Sequence, residues 1–195
     1  MILTCGFDEA GRGPLAGPVT AGCVILPADF PVEILNDSKK LSEKKRVAAE
    51  AVIKERALWG LGIADHKTID AINILQATML AMRRAYDQMM AGFDAWCAAR
   101  GIAPADVSVA AIVDGTTCPD VPCVCRAEPK ADGTYPAVMA ASIIAKVARD
   151  RIMQDYDRQY PAYGYARHKG YPTAEHRRVC REIGPSPIQR LSFSF

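Results

Sequence analysis

The sequence predicts a mixed α/β domain in which helices flank a central sheet. Three observations predict it. Apolar runs of strand length recur at Ile2–Phe7, Val19–Leu26, Ala57–Ala64 and Val107–Val113, segments with helical character lie between and after them, and the two kinds of element alternate along the chain. The 195 residues are 50% hydrophobic, enough for one sizeable core. The expectation is a single domain over 1–195 whose C-terminal part, from about 157, is helical.

The elements follow in order. Ile2 to Phe7 reads as a strand that breaks at Gly11 and Gly13, and Val19 to Leu26 as its neighbour, reached through Gly13-Pro14 and Gly17-Pro18. Ser42 is placed to cap a helix reaching about Arg56, with Glu43 in its first turn. Ala57 to Ala64 is a short glycine-containing strand. Thr68 can cap a long helix to about Arg100, where Gly101 ends it. Ile72, Leu75, Met79, Met82, Tyr86, Met89 and Phe93 recur there in steps of three and four, which predicts one buried stripe. Val107 to Val113 is a buried strand closed by Asp114-Gly115. Residues 116–136 are rich in Pro, Cys and Gly and read as loop or edge strand. Ala137 to Asp157 is helical, and a last helix starts at Pro172 or Thr173 and stops before Gly184.

Composition excludes several classes. The net charge of +2 rules out a polycation, although basic residues cluster at Lys39–Arg46, Arg167–Lys169 and His176–Arg178. No apolar stretch reaches the ~18 residues of a membrane span, and Met1–Cys5 lacks a signal-peptide layout, so a cytoplasmic location is expected. The seven cysteines are scattered without a Cys-x-x-Cys pair, as expected for reduced thiols.

Acidic residues fall where such a fold presents functional groups. Asp8 and Glu9 end one hydrophobic strand before a glycine turn, Asp114 ends another, and Asp150 lies on a helix with an apolar opposite face. An acid after a strand is ordinarily a turn residue or cap. Four together, free of Cys and His, would suit hard cations such as Mg²⁺ or Mn²⁺. Two such ions about 3.5–4 Å apart clamp the attacking and leaving oxygens of a phosphoryl displacement. Adjacent strand residues point to opposite faces, so Asp8 and Glu9 can share one site only if the chain is already turning. A glycosidase using two carboxylates is the rival, but it predicts aromatic sugar platforms, and this chain has two Trp.

The wording of the chain goes further. Gly6-Phe7-Asp8-Glu9-Ala10-Gly11-Arg12-Gly13-Pro14 resembles the opening motif of the ribonuclease HII family, the type 2 ribonucleases H. Similar blocks follow in the same order: Leu35 to Ser42, Asn73 to Met79, Val113-Asp114-Gly115, Ala140 to Asp150, and His168 to Thr173. The resemblance spans nearly the whole chain. It implies a ribonuclease H-like fold, with Asp8, Glu9, Asp114 and Asp150 as the catalytic, metal-binding acids and Mn²⁺ or Mg²⁺ as cofactor. It implies endonucleolytic cutting of RNA in RNA–DNA hybrids and on the 5′ side of single ribonucleotides in duplex DNA, leaving 3′-hydroxyl and 5′-phosphate ends. The expected partners are those nucleic acids, with no membrane, and the protein is expected to be a monomer.

By the same resemblance, Gly11-Arg12-Gly13 would approach the ribose and bond its 2′-hydroxyl, and Tyr171 would stack on the next sugar. Lys39, Ser142, Lys146, His168 and Lys169 would contact phosphates or edge the site. Lys146 and Ser142 share a helix face with Asp150. Two departures stand out: Pro129-Lys130-Ala131-Asp132-Gly133 where the family commonly has Lys-Gly-Asp, and a short C-terminus ending Ser192-Phe193-Ser194-Phe195. The related ribonucleases HIII carry an extra N-terminal domain, and the position of Asp8 close to Met1 favours HII.

Overall fold

A computed structural model describes residues 1–194. Its centre is a five-stranded sheet in the order β3-β2-β1-β4-β5, built from β1 (Ile2–Ala10), β2 (Val19–Ile25), β3 (Leu58–Ala64), β4 (Ser108–Asp114) and β5 (Val124–Glu128). β1, β2 and β3 form an antiparallel meander, while β4 joins β1 and β5 joins β4 in parallel. The sheet is therefore mixed, as expected, and the Cys-rich segment supplies its exposed edge strand.

Helices cover both faces. α1 (Glu43–Arg56) begins where expected, with Ser42 Oγ accepting from Lys45 N at 3.3 Å. It lies with α4 (Pro136–Gln159) on one face, sharing a cluster that includes Val24, Ile53, Ile143 and Ile144. α2 (His66–Ala91) covers the other face with Met82, Tyr86 and Met89. No helix among the described residues is long and apolar enough to cross a membrane.

The long helix departs from its sequence reading. Asp65 rather than Thr68 caps it, its Oδ1 accepting from Thr68 N at 2.8 Å. Asn73 interrupts it at φ 68°, ψ 165°, and Gly92 separates it from α3 (Phe93–Ala98). The kink resets the helical phase. Ile72 and Leu75 are left 39% and 37% exposed, and the buried face becomes Ala77, Ala81, Met82, Ala85 and Met89. The alanines are there because β3 lies close. A Cβ on Gly60 or Gly62 would come within 2.0 or 1.8 Å of the carbonyl oxygens of Ala85 or Ala81.

The same device seats α4 on the site-bearing strands. A Cβ on Gly6 would lie 2.3 Å from the backbone of Ala137 and Val138, and one on Gly22 2.3 Å from Ala141 O. Gly22 pairs with Asp8 across β1 and β2, so Asp8 shares the face on which α4 rests. The C-terminal part is helical only in pieces, α5 (Tyr165–His168) and α6 (Ala174–Ile183), the latter capped by Thr173. The chain then runs back along the loop that follows β1, where Ala16 bridges to Gln189. Leu191 and Ser192 are tied to the Asp70 carboxylate, and Phe195 lies outside the described residues.

Candidate active site

Parallel pairing of β1 with β4 brings Asp8 beside Asp114, the last residue of β4. A third acid joins them from the loop into α4. Carboxylate oxygens of Asp8, Asp114 and Asp132 all lie within 4.8 Å of one another. Asp132 sits in a short 3₁₀ turn, Ala131–Gly133, entered through Lys130 in the left-handed region at φ 66°. Asp114 fixes that turn, its Oδ1 accepting from Ala131 N at 2.9 Å.

Like charges at this spacing, out of water, resist ionisation. Burial is the first cause holding Asp8 well above the usual carboxylate range; Glu9 and Asp114 push it further, against the Ser142 hydroxyl. Burial and then Asp114 and Asp37 raise Asp132, against Lys39 and Lys40. Burial raises Glu9 too, with Arg12 opposing and Asp114 adding. Lys39 faces the group at 4.0 Å from Asp132. Its burial would lower its pKa, but Asp37, Asp132, Asp8 and Asp114 outweigh that and raise it. Three carboxylates crowded together, two of them buried and with Lys39, 4.0 Å from Asp132, as their one ion pair among the described residues, are what a hard divalent cation would relieve.

β1 stays extended through Ala10, and Glu9 is not one of the three acids whose oxygens lie within 4.8 Å of one another. Glu9 adjoins the close group electrostatically and pairs with Arg12 at 3.6 Å.

Asp150 is placed differently from the sequence expectation. It is buried on α4, but its Oδ1 accepts from Lys146 Nζ at 2.7 Å and its Oδ2 lies 3.8 Å from Arg46. Arg46 in turn donates to the carbonyls of Ser38 and Leu41. Asp150 is thus neutralised by two cations and stands outside the close carboxylate group, and Lys146 is occupied with it. Ser142 does lie at the site, buried, with its Oγ 2.7 Å from Ser38 Oγ. Asp132 is absent from the acids expected from sequence, although Lys130-Ala131-Asp132 stands where the family's Lys-Gly-Asp is expected, with alanine in place of glycine.

Gly11, Arg12 and Gly13 follow directly. Gly11 has φ +102°, and a Cβ there would meet Arg149 Nε at 2.1 Å, so both backbone shape and the side chain beneath require glycine. The Tyr171 ring edge is 3.7 Å from where a Gly13 Cβ would be, and Tyr171 is 43% exposed. Lys169 (φ 50°) and Gly170 (φ +81°) turn the chain into Tyr171. His168 is not a surface contact. It is buried, its Nε2 lies 2.8 Å from Tyr163 O, and its Nδ1 accepts from Gly170 N at 3.2 Å, so it shapes the turn.

A carboxylate group near the C-terminal ends of the adjacent parallel strands β1 and β4, beside a lysine and a glycine loop, fits a metal-dependent nuclease of ribonuclease H-like fold. The family model described as Ribonuclease HII matches residues 5–195. The chain is 48% identical to Ribonuclease HII of Dechloromonas aromatica over 192 residues, covering 98% of this chain and 90% of that one. It is 49% identical to Ribonuclease HII of Treponema denticola, covering 98% of both. Among solved structures, ribonuclease H2 from Pyrococcus horikoshii superposes with a TM-score of 0.69 at 26% identity, over 98% of this chain and 93% of that one. The chain belongs to the ribonuclease HII family, and its activity is that of a ribonuclease H, an endonuclease acting on RNA–DNA substrates.

Proposed function

We propose that this enzyme hydrolyses the RNA strand of RNA–DNA hybrids and cuts on the 5′ side of single ribonucleotides in duplex DNA, with divalent ions held by Asp8, Asp114 and Asp132 and with Glu9 completing the acidic set. The observation that carries the reading is the approach of those three carboxylates to within 4.8 Å, next to the Gly11–Gly13 loop. The donor set is all oxygen, which suits Mg²⁺ or Mn²⁺. Bound there, such ions supply Lewis-acid stabilisation of the phosphoryl charge and activation of water.

The chain's own residues do the rest. Lys39 balances the acids and offers a cation to a phosphate oxygen, while Arg12, paired with Glu9, holds the loop beside them. The Gly11–Gly13 backbone comes near the ribose, whose 2′-hydroxyl separates RNA from DNA. Tyr171 offers its exposed ring to the following sugar. Water oxygen bonds to phosphorus as the bond to the 3′ oxygen breaks; that oxygen takes up a proton, leaving a 3′-hydroxyl and a 5′-phosphate.

A DNA duplex carrying one ribonucleotide tests this. Cutting on its 5′ side should need Mg²⁺ or Mn²⁺, stop with EDTA, and be absent on an all-DNA duplex. Activity that survives EDTA, or equal cutting of the all-DNA control, would overturn it.

A further inference from the structure

The two elements proposed to read sugars, the Gly11–Gly13 loop and the Tyr171 turn, are far apart in sequence; two arginines brace the loop, and one of them, Arg149, joins it to the turn. Arg149 and Arg190 are 1% and 0% exposed. Among the described residues neither forms an ion pair with a carboxylate; their donors go to backbone carbonyls. Arg190 donates from Nε to Gly17 O (2.9 Å), from Nη1 to Arg12 O (3.0 Å), and from Nη2 to Gly11 O (2.6 Å) and Pro18 O (3.1 Å). Arg149 donates from Nε to Pro18 O (2.9 Å), from Nη2 to Ala16 O (3.1 Å), and from Nη1 to Lys169 O (2.9 Å).

A trans peptide carries its C=O and N–H on opposite sides. Drawing the carbonyls of Gly11 and Arg12 inward onto Arg190 therefore turns the N–H groups of Arg12 and Gly13 outward. Neither N–H donates to a protein group among the described residues. Arg149 holds the same loop through Ala16 and Pro18 and the Tyr171 turn through Lys169. The Leu15 N to Gly170 O bond, 2.8 Å, spans the same gap. Burial lowers the pKa of Arg149 to about 10 and that of Arg190 to about 9, so both stay cationic at neutral pH. A lysine could not substitute, because only a planar fork reaches several fixed acceptors at once.

We infer that Arg149 and Arg190 are positioning residues for ribose discrimination: Arg190 aims the Arg12 and Gly13 amides at the 2′-hydroxyl, and Arg149 fixes their spacing from Tyr171. The inference rests on the reading of Gly11–Gly13 given above. Their role is tested by Arg190→Lys and Arg149→Lys, with binding measured in Ca²⁺ to single-ribonucleotide and all-DNA duplexes and cutting measured in Mn²⁺. Arg190→Lys should lose about tenfold to a hundredfold of the binding preference for the ribonucleotide duplex, the scale of a small misplacement. Arg149→Lys should also lose preference for a single ribonucleotide over a uniform hybrid. Mn²⁺ affinity, read by calorimetry, should stay within about twofold, because neither arginine touches the carboxylates. Unchanged preference with only a lower melting temperature, or a parallel loss of Mn²⁺ affinity, would overturn the inference. Should the variants fail to fold, the amide protons of Arg12 and Gly13 in the parent enzyme decide it. They should shift on binding the ribonucleotide duplex and not the all-DNA duplex; amides that respond to neither, in an enzyme that still cuts at the ribonucleotide, refute the brace. A parent enzyme with no preference for ribonucleotides would instead bring down the functional reading itself.

Discussion

The carboxylates of Asp114 and Asp132 stand within 4.8 Å of each other because Asp114 itself fixes the turn that carries Asp132, accepting the Ala131 N–H at 2.9 Å. Asp114 therefore both belongs to the acidic group and builds the loop that completes it. This arrangement is why Asp132 is included in the proposed metal-holding set.

Asp132→Asn should reduce Mn²⁺-dependent cutting at least about a hundredfold, as much as Asp114→Asn does, since mutating even the outer partners of a metal costs 10- to 100-fold. Removing one of three crowded charges should also raise the melting temperature in EDTA while shrinking the increase that Mn²⁺ gives. An Asp132→Asn enzyme that keeps the full Mn²⁺ increase would remove Asp132 from the group.

Asp150→Asn should behave differently. The variant keeps a polar partner for Lys146 and Arg46 but loses the negative charge between them, a change of about 1–3 kcal/mol for a mostly buried charged hydrogen bond. Calorimetry should show Mn²⁺ binding little changed, with a fall in stability read by urea unfolding. If Mn²⁺ binding vanishes as completely as in Asp114→Asn, the division between Asp150 and Asp132 is wrong.

The contrast between Asp132 and Asp150 shows how far the chain could be read directly. The strand runs and the Ser42 cap depend on neighbours in sequence, and they lie where the pattern put them. At the Asn73 kink the Asn73 Oδ1 caps the next helical stretch by accepting from Gln76 N at 3.1 Å, but an asparagine inside a helical pattern is not told from a solvent-facing polar residue by its period. Asp150 looks catalytic by type and position until Lys146 and Arg46 are seen to occupy it. Asp132 lies in a stretch with no periodicity, where the altered Lys-Gly-Asp position is its one sequence signal and its nearness to Asp8 and Asp114 is what gives that signal meaning. Arg149 and Arg190 were illegible, because carbonyl acceptors carry no residue identity.

Tyr171→Ala should lower cutting at a single ribonucleotide more than cutting of a uniform hybrid, and Tyr171→Phe should keep most of the difference, because the proposed contact is a stack on the half-exposed ring, whose edge lies beside Gly13. A lost aromatic stack on a nucleotide is worth about 1–3 kcal/mol. Equal losses on both substrates would reassign Tyr171 to the structure of the turn, where Arg149 already lies 6.0 Å from its ring.

His176 should make stability depend on pH. Its ring stacks on His168 with centroids 4.5 Å apart and meets Tyr165 edge-on at 5.6 Å. Its Nδ1 lies 3.0 Å from Tyr171 O, so that nitrogen carries the proton, while Nε2 is buried without a hydrogen-bond partner among the described residues. Protonation would bury an N–H with no acceptor against a second imidazole. Burial accordingly lowers the pKa of His176, with His168 adding to the effect and the Tyr171 and Gly170 backbone and Gln189 opposing it. The unfolded chain, with a histidine pKa near about 6.5, takes the proton first. The contribution of His176 is thus complete above about pH 6.5 and is lost as pH falls from there towards the lowered folded value. The raised carboxylates act in the opposite direction, so the parent must be compared with His176→Gln. Urea midpoints between about pH 7 and pH 5.5 should fall further in the parent than in the variant. Parallel curves over that interval would show that His176 is not the titrating group.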